Sequence, residues 1–543
     1  MEKVKADVLI IGGGLAAMMA ALEASTSSSS ILMVSKGKIG GSGATLMAGG
    51  NFAAVLPDSV AKGDSVEFHI EDTLSGGEYI NDPKLVRIMA ENAPRDLLLL
   101  EELGVTFLKR DGQFDLRKPP GHRYPRTVFT LNPGFLIKIR GKTITEPLRQ
   151  VILKKGIPHL EGVSILRLVV KNGCLAGAVG LHRKNGEMIA IDCKAAVIAS
   201  GGAGTLYEIH TNPNDLTGDS YSLALHAGCS LRDIEFVQFF PCVHLGHPHV
   251  IIPTPILADG AVLRNREGER FLARYAPERM ETATRDVVAQ AIYREIEEGR
   301  GVDGGVYLDL TSIPSELISF RFPDLLQIFN KHGMDLKKEW IRVAPAAHFF
   351  MGGIVIDGHC RTSIPGIFAA GEATGGIHGA NRISGNGLTD PLVFGRIAGR
   401  EAVLWAKDRA KTSLEEEAFS IECFSNEKRI SDEEIAEAKK RVKKLMWNKV
   451  GIIRNEMGLK QVIEELESLQ KLFHEGQPAS KKSFSNFFEV RSMLMSSLAI
   501  THSALLREES RGAHFREDFP KSKPEMARSI YVKRDRGEMK LSF

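Results

Sequence analysis

Hydrophobic residues near the start of the chain form a short continuous block that ends in three glycines. The stretch ADVLIIGGGLAAMMAALEAS contains the apolar run Val8–Ile11, then Gly12 to Gly14, then a segment rich in Ala, Leu and Met. A short apolar run before a glycine turn is typical of a buried strand, and the segment after it is typical of a helix. The pattern therefore predicts a strand, a tight turn and a helix.

Two later segments show the same order of a buried strand followed by a glycine-rich loop. One is CKAAVIASGGAGTLY, which places Ser200, Gly201 and Gly202 after its apolar run; the other is GIFAAGEATGGIHGANRISGNGLTD. Strands that run into glycine loops are typical of nucleotide-binding α/β domains. Because the three units lie far apart in the chain, we predict one nucleotide domain that is interrupted by an insertion.

Helical spacing of apolar residues is found in two further segments. RDVVAQAIYREIEEGRG predicts an amphipathic helix that begins at Arg285 and ends at Gly299. Beyond Ala402, the charged segment SDEEIAEAKKRVKKLMWNKVGIIRNEMGLKQVIEELESLQKLF also has helical spacing. Such a charged pattern predicts a solvated helical bundle at the end of the chain.

Length, charge and cysteine usage narrow the class of protein. The chain has 543 residues, of which 43% are hydrophobic, and its formal charge is only +3. This length suggests roughly three units, and the near balance of charge gives no reason to expect nucleic-acid binding. Six cysteines without paired spacing fit a reducing compartment, so we expect a cytoplasmic protein. No segment reaches about 18 uncharged apolar residues, and a membrane span is not expected.

The first glycine turn has the features of a dinucleotide-binding loop. Gly12 permits the turn, Gly14 lets the backbone approach a pyrophosphate, and Ala17 is small enough for close helix packing. An acidic residue that would bind the ribose of NAD is missing after the second strand, ILMVSKG, where Ser35 and Lys36 stand instead. This replacement puts ordinary NAD binding in doubt.

The stretch VQFFPCVHLGHPHV raises the question of a metal site. It contains Cys242, His244, His247 and His249 within eight residues. Structural zinc usually requires four ligands in paired short spacings, and the other cysteines are far apart and form no CxxC pair. We therefore predict no metal. A substrate pocket and a plain surface loop stay open as interpretations of this stretch, and metal is the third alternative.

Six longer stretches carry a family resemblance over nearly the whole chain. They are SKGKIGGSGATLMAGGN, FHIEDTLSGGEYINDPKLVRIMAENAPRDLLLLEELGVTF, TNPNDLTGDSYSLALHAG, APAAHFFMGGI, GANRISGNGLTDPLVFGR and REESRGAHFREDFP. In this order they resemble the flavoprotein subunits of succinate dehydrogenase and fumarate reductase, with L-aspartate oxidase as a sister.

The resemblance implies an α/β fold with an inserted cap. A Rossmann-like FAD-binding domain, residues 1–235 and 345–405, would be interrupted by an α+β capping domain, residues 236–344. A C-terminal helical domain would follow at residues 415–543. The substrate is then expected between the cap and the flavin domain.

The resemblance also implies FAD as the cofactor, and the family tolerates Ser-Lys after the second strand. Many relatives attach the flavin through a histidine; the matching residue here is Gly43, which has no nucleophile, so we expect noncovalent FAD. By resemblance, FAD would contact Gly12, Gly14, Leu15, Ala16, Ser35, Lys36, Ser42, Ala44, Gly49, Gly50, Val163, Ser200, Gly201, Gly202, Asp219, Glu372, Asn386, Gly387 and Leu388.

Three residues match the catalytic equipment of the family. Arg285 matches the arginine that delivers a proton, while His348 and Arg382 match the groups that bind a substrate carboxylate. Each also has a plainer interpretation. Arg285 could form a surface ion pair with a neighbour such as Glu281, and His348 and Arg382 could simply anchor the cap to the flavin domain.

Other positions depart from the family pattern. QFFPC places Phe240 where the family has a substrate-binding histidine and Cys242 where it has a threonine. Downstream, Thr254 replaces the glutamate of the proton relay and Leu257 replaces an arginine. Part of the dicarboxylate site is therefore rewritten, and we expect an altered substrate pocket.

These observations predict an FAD-dependent oxidoreductase that moves hydride between flavin N5 and a small anionic, carboxylate-bearing substrate. No cysteine motif can hold an iron–sulfur cluster, so a partner subunit would carry the clusters or other electron-transfer groups, and any membrane association would run through it. Two alternatives stay open: an electron-transfer flavin subunit whose substrate site is vestigial, and an amine oxidase similar to L-aspartate oxidase.

Overall fold

The computed structural model describes residues 2–132, 139–247, 250–409 and 428–543. Its strands are β1 (Glu2–Lys5), β2 (Val8–Ile11), β3 (Ile31–Ser35), β4 (Asn51–Ala53), β5 (Lys109–Arg110), β6 (Gln113–Phe114), β7 (Thr127–Phe129), β8 (His159–Glu161), β9 (Val163–Lys171), β10 (Cys174–His182), β11 (Met188–Asp192), β12 (Ala195–Ile198), β13 (Leu231–Arg232), β14 (Val237–His244), β15 (Val262–Arg264), β16 (Val306–Asp309), β17 (Ile341–Phe350), β18 (Gly353–Ile354), β19 (Ile367–Ala369), β20 (Arg429–Ile430), β21 (Gln477–Pro478), β22 (Tyr531–Asp535) and β23 (Glu538–Ser542).

Its α-helices are α1 (Leu15–Ala24), α2 (Ala44–Met47), α3 (Pro57–Val60), α4 (Val66–Gly76), α5 (Pro83–Glu102), α6 (Lys142–Lys154), α7 (Asp219–Ala227), α8 (Pro255–Ala258), α9 (Leu272–Tyr275), α10 (Arg285–Glu297), α11 (Ser315–Arg321), α12 (Pro323–Lys331), α13 (Asn386–Lys407), α14 (Asp432–Lys449), α15 (Glu456–Glu475) and α16 (Phe484–Leu506).

A parallel sheet of five strands, in the order β19-β12-β2-β3-β8, forms the centre of the nucleotide-binding part. The strands β2, β3, β12 and β19 are buried along their whole length, which explains their continuous apolar runs. The three glycine-rich loops follow the adjacent strands β2, β12 and β19. The predicted α/β fold, with one nucleotide domain assembled from distant segments, is confirmed.

Gly12 makes the turn from β2 to α1 possible. Its φ of 134° lies in a region that side chains with a Cβ rarely adopt, and a Cβ built there would lie 2.2 Å from the carbonyl oxygen of Ala199. The turn therefore requires glycine both for its backbone angle and for the close approach of the neighbouring strand.

Helices α1 and α13 pack against each other over the central sheet through small residues. A Cβ on Gly395 would lie 2.6 Å from the carbonyl oxygen of Ala16, and one on Gly399 would lie 2.2 Å from that of Ala20. The two backbones are thus too close for any side chain at these positions. This contact holds the middle of α13 against α1, and the first turn of α13 carries the predicted cofactor residues Asn386, Gly387 and Leu388.

The predicted capping insertion has an antiparallel sheet in the order β14-β17-β16-β15 and a hydrophobic core of its own. The buried residues of that core run from Cys242 to Val343. This separate core supports the proposed boundaries at residues 236–344. Helix α10 begins at Arg285, and Gly299 follows its end with a φ of 77°, so the predicted helix is confirmed.

The C-terminal part contains the predicted charged helices together with a β-hairpin. Apolar residues of α14, α15 and α16 belong to the same continuous core as the central sheet. Strands β22 and β23 join β13 and β18 in a sheet, so the segment is not helical throughout. The first residues of the proposed domain, 415–427, lie outside the described residues. None of the described helices is long and apolar enough to cross a membrane.

The α1–α13 contact gives a first prediction. In the Gly399→Val variant the new side chain must push α1 and α13 apart, so we expect the free energy of unfolding to fall by about 1–3 kcal/mol or more. Chemical denaturation of the FAD-loaded protein measures the change. Leu404→Ala alters a half-exposed residue of the same helix and serves as the control. Equal stability of the two variants would contradict the packing described above.

Candidate active site

A cavity of about 2050 Å³ lies where the glycine-rich loops of the central sheet face the cap. It exceeds the usual 300–1,000 Å³ of a small-molecule site, and so has room for a dinucleotide and a small substrate together. Most of the predicted cofactor residues line it, namely Gly12, Gly14, Leu15, Ala16, Ser35, Lys36, Ser42, Ala44, Gly49, Val163, Ser200, Gly201, Asp219, Glu372, Gly387 and Leu388.

Three predicted cofactor residues, Gly50, Gly202 and Asn386, are not among the residues that line this cavity. A Cβ on Gly202 would lie 2.7 Å from Oε1 of Glu372, and one on Gly50 would lie 2.3 Å from Oγ1 of Thr130. Asn386 is buried at the start of α13. Contact of these three residues with FAD stays a prediction.

Lys36 is held by acidic groups of the protein itself. Its Nζ lies 3.0 Å from Oδ2 of Asp219 and 2.8 Å from Oε1 of Glu489, and it donates to Oγ1 of Thr217 at 2.6 Å. Burial lowers the pKa of Lys36, but the two carboxylates outweigh it and the pKa is raised. Lys36 is therefore a fixed, fully charged group in the wall and is not a free cation.

Arg285, the first residue of α10, points its guanidinium group at an aromatic ring. Its Cζ lies 5.1 Å from the centroid of the Phe240 ring, and burial lowers the pKa of Arg285 to about 10. The alternative ion pair with Glu281 is wrong, because both oxygens of Glu281 accept from Arg270. Arg285 forms no ion pair with any residue that the structure describes.

His348 and Arg382 reach the same cavity from β17 and from the loop before α13. Nδ1 of His348 lies 2.8 Å from Oγ1 of Thr211 in a hydrogen bond, and Nη2 of Arg382 donates to Oε1 of Gln238 at 2.8 Å. Burial and the two guanidinium groups lower the pKa of His348 well below its usual range, so its imidazole is neutral.

The two guanidinium groups leave an excess of positive charge in this wall. Burial and the neighbouring Arg285 lower the pKa of Arg382 to about 9, against an opposing effect of Glu372. Burial also raises the pKa of Glu372 to about 7, so this carboxyl group offsets the positive charge only in part. An anion beside Arg285 and Arg382 would relieve their repulsion.

A buried network that the sequence did not reveal holds the loop with Arg382. The side chain of Arg126 donates to both oxygens of Asp64, at 2.6 and 2.9 Å, and to Asp72 at 2.6 Å. Its Nη1 also lies 3.2 Å from Nδ1 of His122. Since a guanidinium group can only donate, Nδ1 must accept, and Nε2–H of His122 donates to the Ser384 carbonyl at 2.7 Å.

The positions that depart from the family pattern fall into two groups. Phe240 and Thr254 line the cavity, and Thr254 Oγ1 is buried without a hydrogen-bond partner among the described residues. Cys242 and Leu257 instead lie in the core of the cap. Burial raises the pKa of the Cys242 thiol to about 12, which makes it an inert core residue.

The described histidines after Cys242 contact different aromatic rings. The ring of His244 packs edge-on against Phe329, with centroids 4.9 Å apart, while the ring of His247 stacks on His332 at 5.5 Å. His249 lies outside the described residues. Within the described part of the chain, no three His, Cys, Asp or Glu residues are grouped to hold a metal ion.

Two family models match most of the chain. Residues 7–388 match an FAD binding domain, and residues 439–543 match the C-terminal domain of fumarate reductase flavoproteins. The chain belongs to the succinate dehydrogenase and fumarate reductase flavoprotein family. It is an FAD-dependent oxidoreductase, and the predicted family, enzyme class and cofactor are confirmed.

Similar proteins cover the full length of the chain. An FAD-dependent oxidoreductase from Methanocaldococcus jannaschii is 40% identical over 97% of this chain and 96% of its own. One component of the CoM/CoB fumarate reductase from Methanothermobacter marburgensis is 39% identical over 98% of both chains. The structure of E. coli quinol fumarate reductase superposes with a TM-score of 0.88 at 29% identity, covering 100% of this chain and 97% of the other.

Gly43, which matches the flavin-linked histidine of many relatives, faces open space. Gly43 lines the cavity with a φ of 82°, and a Cβ built on it would meet no atom within 4 Å. The cavity therefore has room for the flavin ring at this point, while glycine offers no atom that could bond to it. This geometry supports the expectation of noncovalent FAD.

Acid precipitation of the purified flavoprotein tests that expectation. We expect all of the FAD to stay in the supernatant, because no nucleophile stands at Gly43, and the absorbance of the supernatant near 450 nm measures it. Gel fluorescence of the denatured chain is the complementary reading. A yellow, fluorescent precipitate would show that another residue bonds to the flavin.

Proposed function

We propose that this flavoprotein reduces fumarate, or a closely similar alkene flanked by carboxylates, with electrons that arrive from a separate partner protein. The observation that carries the proposal is the pair of guanidinium groups, Arg285 and Arg382, in the cavity wall beside a neutral imidazole, His348. Neither guanidinium group has an acidic partner bonded to it within the described chain. A dicarboxylate supplies the missing negative charge.

The chain's own residues divide the reaction between binding and proton transfer. Bound FAD supplies hydride from flavin N5 to one alkene carbon. Arg382 and His348 bind one substrate carboxylate and polarise the double bond, and Arg285 gives a proton to the other carbon. Because burial lowers the pKa of Arg285 to about 10, its guanidinium group is a stronger acid than an exposed arginine.

The second carboxylate of the substrate would lie near Phe240 and Thr254, the two cavity residues that depart from the family pattern. Phe240 offers no hydrogen bond, whereas the hydroxyl group of Thr254 is buried and has no partner within the described chain. A substrate carboxylate is a suitable acceptor for that hydroxyl group. We infer that Thr254 takes over part of the role that Phe240 has lost.

Electron supply requires a second protein. The six cysteines form no cluster-binding motif, and the names of the similar fumarate reductase chains describe them as single subunits of larger enzymes. We infer a partner subunit with iron–sulfur or equivalent centres. Any contact with a membrane would run through that partner.

Removal of the proton donor tests the proposal. With reduced viologen dye as electron donor, we expect Arg285→Ala to lower the kcat for fumarate at least about 100-fold while FAD remains bound, since a positioned acid typically contributes about 10²–10⁴ in rate. Arg266→Ala removes an exposed arginine of the cap and is the matched control. If Arg285→Ala turned over like this control, the substrate site would be vestigial and the chain an electron carrier.

Amine oxidation is the remaining alternative, because L-aspartate oxidase from Pseudomonas aeruginosa is 32% identical over 97% of this chain. The ammonium group of L-aspartate leaves it with one net negative charge against two for fumarate, so it would relieve less of the repulsion between the two guanidinium groups. We therefore expect no hydrogen peroxide from L-aspartate and dioxygen, measured with a peroxidase-coupled dye. Peroxide formation with a kcat equal to or above that of fumarate reduction would reverse the assignment.

A further inference from the structure

We propose that Phe240 is a positioning residue, whose ring holds the guanidinium group of Arg285 beside the substrate. The proposal rests on the proposed function for its catalytic consequence. Phe240 stands where the family pattern has a substrate-binding histidine, but its role differs from that of the histidine. Phe240 does not bind the substrate carboxylate; it fixes the group that delivers the proton.

Phe239 and Phe240 lie next to each other on β14 but face opposite sides. The Phe239 ring packs edge-on against Tyr207 and Trp447, at 5.3 and 6.2 Å between centroids. The Phe240 ring faces the cavity, with its centroid 5.3 Å from that of His348 and 5.1 Å from Cζ of Arg285. Phe240 thus touches two of the three predicted catalytic residues at once.

Arg285 has few other restraints. Its side chain makes no hydrogen bond or ion pair to the residues that the structure describes, and burial alone accounts for its lowered pKa. A long arginine side chain without a partner samples many rotamers, and fixing one of them costs conformational entropy. The face of an aromatic ring offsets that cost, because a partly desolvated cation is attracted to it.

An aromatic ring is well suited to hold a proton donor. A carboxylate in its place would occupy the N–H groups of Arg285 and raise its pKa, whereas a phenyl ring accepts no conventional hydrogen bond. All five N–H groups therefore stay available to the substrate. The ring also covers one face of the guanidinium group and so contributes to the burial that lowers the pKa of Arg285.

The strand pairing keeps the ring at this place. Phe240 pairs with Ala346 on β17, and the register between β14 and β17 shifts between Phe240 and Val243. Pro241, within that shift, has no N–H to donate. The small residue opposite leaves space for the ring, and the irregular strand turns the following Cys242 into the core of the cap.

Three variants separate positioning from simple stability. Phe240→Leu removes the ring, Phe240→Tyr keeps it, and Phe239→Leu makes the same change on the opposite face of the strand. Per FAD-loaded molecule, we expect Phe240→Leu to lower the kcat for fumarate about tenfold, the size of a partly desolvated cation–π contact of about 1–2 kcal/mol. Its KM should change less than its kcat. Phe240→Tyr and Phe239→Leu should stay within about threefold of the parent, well below that loss.

Crystal structures of the FAD-loaded variants without substrate give a reading that does not depend on turnover. We expect Arg285 to keep its place in Phe240→Tyr and Phe239→Leu and to leave it in Phe240→Leu. An unmoved Arg285 in Phe240→Leu, or equal kcat values for Phe240→Leu and Phe239→Leu, would overturn the proposal. If the parent protein does not reduce fumarate, the proposed function fails, and the position of Arg285 still decides whether Phe240 holds it.

Discussion

Two arginine side chains that share one cavity wall without bonded acidic partners are the constraint on which the rest of the site depends. Burial makes the charged forms of Arg285 and Arg382 costly, and repulsion from Arg285 adds to that cost for Arg382, as their lowered pKa values indicate. A folded protein keeps such an arrangement only where the surrounding structure enforces it. Here three separate parts of the fold hold the functional side chains in place. Together these side chains form a cavity wall that is complementary to an anion.

Each of these parts holds one functional group. Helix α10 presents Arg285 from the cap, and the long strand β17 carries His348 from the cap sheet back towards the flavin domain. The loop before α13 carries Arg382, and the neutral His122, fixed by the buried Arg126, holds the Ser384 carbonyl in that loop. Groups from distant stretches of sequence therefore meet only when the cap and the flavin domain are packed together.

Much of this arrangement could be predicted from the sequence, because its signals are local. Continuous apolar runs before glycines located β2, β12 and β19, and short ordered motifs located Arg285, His348 and Arg382. The Arg126 network gave no such signal, since Arg126 and Asp64 lie 62 residues apart in the chain and no single motif contains both them and Asp72. Lys36 is paired with Glu489 of α16, more than 400 residues away in the chain, so its state depends on tertiary packing. The spacing of Cys242, His244 and His247 is compatible with metal ligands, but Cys242 is buried in the core of the cap, His244 packs against Phe329 and His247 stacks on His332.

Binding of a dicarboxylate by this wall, for reduction by the flavin, is open to a direct kinetic test. Reduced, FAD-loaded protein is mixed with fumarate in an anaerobic stopped-flow instrument, and reoxidation is followed by flavin absorbance. We expect rapid reoxidation whose rate saturates with fumarate concentration and collapses in Arg285→Ala. Flavin that stays reduced at millimolar fumarate, with the protein folded and loaded, would contradict the proposed function.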